Sequence, residues 1–298
     1  MALERPNPFG LHTYVRNGSV DRHTHPYLVN HSSLVYDLLM SLLAKQVTFR
    51  YAGGPLVLDQ VSCEIPSGSI TAIVGPNGGG KSTLIRLLAG LRTPASGSIT
   101  LDDQPLASIA PRDRAKRMAF IEQRPDLAFD FTVRRVVGFG LHAIGNDQNR
   151  IDHALERFEL ADRADMPYGH LSVGQQQRVS MARAWVQIAP TANGSNQPGY
   201  LLADEPCSAM DPKHTLQSMI ALRELADRGI GIAVVIHDLS TAARWADRAI
   251  VLDQHGTLVA QGTPDEAMSE SVLSGVFEVA IRKHTLADGQ CVFIPTAG

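Results

Sequence analysis

From Leu42 onward, short apolar stretches of strand length alternate with turn residues. LLAKQVTFRY, PLVLDQVSCEI and SITAIV predict three successive strands. AGG at 52–54 and PSG at 66–68 supply the turns between them. After Thr83 the period changes, and LIRLLAGL reads as an amphipathic helix. GSITLDDQPL (97–106) predicts a strand hairpin, and PRDRAKRMAFIEQ runs from a polar helix start into a short strand ending at Gln123. From about 125 to 187 the pattern is mainly helical, through FTVRRVVGFGLHAIG, IDHALERFELADRA and a longer helix from Ser172 through QQQRVSMARAWVQI. PTANGSNQPG at 190–199 is polar and rich in Pro, Gly and Asn, which predicts a loop. YLLADEP and GIGIAVVIHDL predict two buried strands, and RAIVLDQHGTLVAQGTP a final hairpin. The tail from Met268 carries a helix and a short strand pattern in VFEVAIRK.

This pattern divides the chain into a weakly ordered extension at 1–39, one large domain at 40–267 and a tail at 268–298. The extension is rich in His, Asn, Ser and Pro and lacks apolar periodicity. Its histidines, His12, His23, His25 and His31, have no tight metal-ligating spacing and no cysteine or clustered acid beside them. Met40 opens MSLLAKQVTFRY and is a candidate start of the translated chain.

Composition narrows the partners. The 298 residues carry a net charge of −3, so no basic excess points to nucleic acid. Cys63, Cys207 and Cys291 are too few and too widely spaced for a disulfide framework or a metal pattern, which suits a reducing compartment. No stretch approaches the roughly 18–20 apolar residues that span a bilayer. The start, MALERPNPFG, lacks an apolar signal core. The expected location is cytoplasmic, with any membrane contact made through a partner.

The chemistry begins at GPNGGGKST, residues 75–83, which has the form of a phosphate loop. Gly75, Gly78, Gly79 and Gly80 can take positive φ, so the backbone from Gly75 through Pro76 and Asn77 can wrap its N–H groups around an anion. A helix starting near Lys81 adds its partial positive charge. Lys81 can reach β- and γ-phosphates, and the hydroxyl of Ser82, next to Thr83, is suited to Mg²⁺. The strand before the loop and the helix after it are the context the motif requires. A second site follows from Leu201–Pro206, where an apolar strand ends in two acids at the sheet edge that receives ligands. Asp204 is expected to hold the Mg²⁺ shell, and Glu205, pointing the other way, is the candidate general base.

LSVGQQQR at 171–178 completes a combination that resembles the ATP-binding-cassette (ABC) ATPases. The resemblance covers roughly residues 42–268. It implies an α/β fold with a RecA-like core, an antiparallel β subdomain and a helical subdomain at about 125–187. It also implies ATP and Mg²⁺ as ligands and hydrolysis between two head-to-tail copies. By the same resemblance Tyr51 stacks on adenine and Gln123 ligates Mg²⁺ reversibly. His237 contacts the γ-phosphate, and Asp211 of SAMD reaches across the dimer. Ser172, Gly174 and Gln175 act on the nucleotide of the second copy, with helix-start N–H groups forming an anion site. Val173 departs from the commoner glycine, and Gly79 stands where Ala or Ser is more usual, a change expected to be harmless.

Neither a long coiled coil nor a second cassette is present, which disfavours DNA-repair and translation-factor relatives. AFDFTVRRVVGFG, the loop at 190–199 and the ending SVLSGVFEVAIRKHTLADGQCVFIP are similar to ATPases of the iron-siderophore, cobalamin and hemin importers, most of all the hemin type. That resemblance implies two transmembrane permease subunits, an extracytoplasmic solute-binding protein and a peripheral position on the cytoplasmic face of the inner membrane.

Overall fold

A computed structural model describes residues 40–123, 130–145, 147–189 and 199–296. The N-terminal extension, the opening of the helical stretch at 125–129 and the loop at 190–198 lie outside them. β1 (Ser41–Arg50), β2 (Leu56–Pro66), β4 (Ser96–Leu101) and β5 (Gln104–Pro105) form an antiparallel sheet in the order β2-β1-β4-β5. β3 (Ile70–Val74), β6 (Met118–Ile121), β7 (Tyr200–Asp204), β8 (Gly231–Val235), β9 (Arg248–Leu252) and β10 (Leu258–Gly262) form the second sheet. Its order is β10-β9-β3-β8-β7-β6, parallel except for β10, which returns as a hairpin beside β9.

The parallel strands are buried on both faces, which is why they read as unbroken apolar runs. Alternation still decides which layer each side chain joins. Leu201, Ala203, Ile232 and Val234 face a core shared with the helices α3 (Val133–Gly138), α4 (Gln148–Arg157), α5 (Val173–Ile188) and α6 (Pro212–Asp227). Tyr200, Leu202, Ala233 and Val235 face the opposite core, built with the antiparallel sheet and a helix at Lys81–Leu88. Each fully buried Leu, Ile or Val contributes about 1.5–3 kcal/mol, so the central strands are rigid. The Tyr200 hydroxyl donates to Asp102 Oδ1 at 3.2 Å, and Arg117 pairs with the same carboxylate. These bonds fix the start of β7 to the β4–β5 hairpin. Burial pushes the Tyr200 phenol up and keeps it a donor.

Two sequence expectations need correction. The strand before Gln123 ends at Ile121, so Gln123 lies past the sheet edge. In the tail, Val276 and Phe277 belong to a helix (Glu270–Phe277), because Leu273 and Val276 at helical spacing pack into a third core with Ala72, Val74 and Val251. Glu278 at φ 55 turns the chain into strand Ala280–Thr285, which pairs with a further strand at Cys291–Thr296. The hairpin β9–β10 is therefore not the last one.

The β9–β10 turn also braces the sheet junction. Gly256 has φ 73, its carbonyl accepts from Asp59 N at 3.1 Å, and a Cβ there would lie 1.8 Å from Val57 O. Gly256→Ala is expected to cost about 2 kcal/mol or more, from strain and overpacking together. A melting curve within a degree of the unchanged protein would contradict this packing.

Candidate functional site

Four neighbouring parallel strands, in the order β3, β8, β7, β6, end at one edge. Gly75 follows β3, His237 lies just past β8, Asp204 and Glu205 close β7, and Gln123 lies past β6. Residues scattered over more than half of the chain thus meet because of strand order alone. The phosphate loop leads into α1 (Lys81–Leu88), whose N-cap Gly80 is left-handed at φ 84. Gly79 is the exception to the conformational argument: among the loop's glycines, Gly75, Gly78 and Gly80 have φ of 151, 83 and 84, and Gly79 has an ordinary backbone. Its reason is space. A Cβ at Gly79 would lie 2.5 Å from Asp253 O, so the glycine suits the space and a side chain would crowd the loop. Gly79→Ala is expected to displace the loop and weaken ATP binding about tenfold, the scale of a modest overpacking penalty. Titration with a fluorescent ATP analogue checks this, and unchanged affinity would contradict it.

Lys81 is buried, and its Nζ donates to Gly75 O at 2.8 Å and Pro76 O at 2.7 Å. Burial lowers the ammonium pKa, opposed by the carboxylates of Glu205 and Asp204. These two bonds fold the cation back across the loop, within reach of an anion cradled there.

Ser82 Oγ donates to Asp204 Oδ1 at 2.8 Å. Asp204 Oδ2 is buried and, among the described residues, has no hydrogen-bond partner, with only the Arg86 guanidinium 3.4 Å away. Burial raises the Asp204 pKa, while the Ser82 bond and the Arg86 charge hold it down. An orphaned carboxylate oxygen beside a serine hydroxyl fits a hard divalent cation, so Ser82 and Asp204 could hold Mg²⁺. Arg86 went unnoticed in the sequence. It stands one helical turn after Ser82, a spacing that puts both on one face.

Glu205 adopts φ 51, a left-handed backbone costly for a side-chain-bearing residue and typical of working sites. His237 Nε2 stands 2.5 Å from Glu205 Oε1, and Gln123 Nε2 donates to Glu205 Oε2 at 2.7 Å. Gln123 therefore meets the acid rather than the Ser82–Asp204 pair. Tyr51 follows β1, half-exposed, with its hydroxyl 3.3 Å from Thr83 Oγ1. Phe49 braces the ring edge-on at a centroid distance of 5.0 Å, and Arg92 lies over it at 6.0 Å. Pro76, Asn77 and Gly78 complete the loop between Gly75 and Gly79.

A second group stands apart. Ser172 caps α5 in a capping box with Gln175: the hydroxyl accepts from Gln175 N at 3.3 Å, and Ser172 N donates to Gln175 Oε1 at 2.9 Å. Val173 is 51% exposed, and Gly174 lies against Ala209. Asp211 caps α6 through His214 N at 2.9 Å and pairs with His214 Nδ1 at 2.7 Å. Among the described residues, no hydrogen bond or ion pair joins Ser172, Gly174, Gln175 or Asp211 to the phosphate loop of the same chain. Burial pushes the Cys63 thiol up to about 12 and the Cys207 thiol up to about 11, so neither offers a thiolate near neutral pH.

A parallel sheet with a phosphate loop after β3 and acids ending β7 defines a P-loop nucleotide-binding ATPase. Residues 58–208 match the ABC transporter family. The chain is 41% identical over 245 residues to the "Hemin import ATP-binding protein HmuV" of Chelativorans sp. (strain BNC1), covering 81% of this chain and 93% of that protein. It is 38% identical over 256 residues to the protein of the same name from Rhodopseudomonas palustris (strain BisA53), covering 85% and 94%. A solved ATP-binding subunit of an ABC transporter superposes with a TM-score of 0.69 at 25% identity, covering 79% of this chain and 99% of that one. The chain belongs to the ABC transporter family, as an ATP-hydrolysing subunit.

Proposed function

We propose that the protein powers hemin import, as one of two identical ATPase subunits beneath two permease subunits fed by an extracytoplasmic binding protein. The observation that carries the ATPase part is the convergence of Lys81, Ser82, Asp204, Glu205 and His237 at one sheet edge. The hemin part is supported by relatives named for hemin import, at 36–41% identity over 78–85% of this chain. Among the described residues no helix is long and apolar enough to cross a membrane, so membrane attachment is assigned to the permease. The chain would then sit peripherally on the cytoplasmic face of the inner membrane.

Each residue has a distinct task. The loop N–H groups and Lys81 hold the β- and γ-phosphates, and Tyr51 offers its flat ring to adenine. Ser82 and Asp204, with Gln123 as an adjustable neighbour, would hold Mg²⁺, which would supply charge neutralisation for the phosphates. Glu205 takes a proton from the attacking water as the γ-phosphorus–oxygen bond to ADP breaks. His237 orients Glu205 and faces the γ-phosphate. Ser172, Gly174, Gln175 and Asp211 serve the nucleotide of the second copy, which accounts for their separation from the loop of their own chain.

The test is transport by the complete transporter in vesicles, with hemin, a ferric siderophore or cobalamin loaded on the binding protein. Hemin is expected to accumulate with ATP. Accumulation of cobalamin or siderophore without hemin would overturn the substrate assignment and leave the ATPase assignment standing.

A further inference from the structure

Gln177 lies in the second turn of α5 and is buried, at 3% exposure. Its Nε2 donates to Ser208 Oγ at 2.9 Å, and its Oε1 accepts from Ala209 N at 2.9 Å. Three residues earlier on the same helix face, Gly174 touches the same segment: a Cβ there would stand 2.6 Å from Ala209 O. The helix and the loop at 208–210 are thus docked backbone to backbone, with one carboxamide closing the contact.

Both partners lead directly to functional ends. Five residues before Gln177 is Ser172, held by its capping box. Arg178, next to Gln177, anchors α5 by donating to Phe158 O at 3.0 Å and Glu159 O at 3.1 Å. On the other side, the loop is tied back to Glu205 through Ser208 N to Glu205 O at 3.3 Å, and two residues past Ala209 is Asp211, the cap of α6. A carboxamide is the side chain that accepts from a backbone N–H and donates to a hydroxyl at once. Losing it would free the half-exposed loop from the helix and leave the Ala209 N–H to solvent.

We infer that Gln177 is a positioning residue for hydrolysis: it locks the Asp211 loop onto the Ser172 helix so that both reach the partner subunit's nucleotide as one unit. This rests on the head-to-tail dimer proposed above. It predicts that breaking the lock harms closure and turnover, while nucleotide binding by each monomer, which rests on the phosphate loop, Lys81 and Ser82, is left alone.

The test uses the full chain and three proteins: Glu205→Gln alone, and the same protein with Gln177→Met or Gln177→Glu added. Methionine keeps the volume and loses both hydrogen bonds. Glutamate keeps the acceptor for Ala209 N and can accept from the Ser208 hydroxyl. Size-exclusion chromatography over a concentration series measures the dimer formed with Mg-ATP. Gln177→Met is expected to raise the concentration for half-dimerisation about tenfold, the scale of one to two lost hydrogen bonds. In the chain with Glu205 intact, it is expected to lower kcat by a similar factor. ATP affinity of the monomer and the melting temperature are expected to stay close to the parent, and Gln177→Glu to recover most of the loss. Dimerisation and turnover by Gln177→Met within about twofold of the parent would overturn the inference. So would a parallel loss of monomer affinity and melting temperature, or no recovery with glutamate. If Glu205→Gln alone remains monomeric with Mg-ATP, the head-to-tail reading itself falls and takes the inference with it.

Discussion

Glu205→Gln is expected to bind Mg-ATP and accumulate as a dimer while releasing phosphate at least about a hundredfold more slowly, the usual worth of a general base. The change is nearly isosteric, so the left-handed backbone at φ 51 and the end of β7 are preserved. Its effect is chemical. An amide cannot accept the proton of the attacking water, and its NH₂ group can serve only as a donor. Glu205 now accepts from both His237 and Gln123, at 2.5 and 2.7 Å, and the amide can accept at only one oxygen. Either one of those neighbours turns away, or His237 shifts its proton to Nδ1 and accepts from the amide. Binding is expected to survive because Lys81, Ser82 and the loop backbone, the groups proposed to hold the phosphates, are untouched. Phosphate release and size-exclusion chromatography check the two halves of the expectation. Turnover near the unaltered rate would remove Glu205 from the role of base.

Strand order explains how much of this site the sequence disclosed. The glycine-rich loop, the acids ending YLLAD and the histidine ending AVVI each sit at the carboxyl end of an apolar run. An apolar run of strand length in an α/β pattern ends at the ligand edge. Their place at that edge could therefore be read without coordinates, but their contacts could not. Ser82 meets Asp204, and Gln123 meets Glu205, only because β3, β8, β7 and β6 lie side by side. Gly79 does not use the positive φ open to it, and what makes a side chain costly there could not be read from the sequence, because the crowding atom, Asp253 O, belongs to a turn far along the chain. Arg86 was hidden for the same reason, since its helix face is visible in the spacing but its partner on β7 is not. The strand Cys291–Thr296 was missed because its apolar residues do not alternate: only Phe293 is buried in the third core, and the strand contains Pro295. The Asp288–Gly289 pair before it was the available hairpin signal, and Gly289 does take φ 83.

Mixing two inactive variants is expected to restore activity, and this result separates the head-to-tail dimer from a site complete within one chain. Lys81→Ala removes the cation that reaches into the loop, so it is expected to weaken nucleotide binding itself. Ser172→Arg leaves the phosphate loop intact, and its monomer is expected to bind ATP normally. The new side chain costs the α5 N-cap about 1 kcal/mol, which a domain of this size tolerates. Its bulk and charge would instead fill the anion site proposed to serve the second copy. Alone, each variant has both composite sites broken. In a mixed pair, one site combines the intact Lys81 of the Ser172 variant with the intact Ser172 of the Lys81 variant. Random pairing in an equal mixture gives mixed dimers half the time, so recovery of roughly a tenth to a quarter of the unaltered rate is expected for a two-fold, isologous interface with two composite sites. A mixture no more active than its parts, with both proteins folded and the Ser172 variant still binding ATP, would sink the trans arrangement. Ser172 and Asp211 would then need a role within their own subunit, where neither makes a hydrogen bond or ion pair to the phosphate loop.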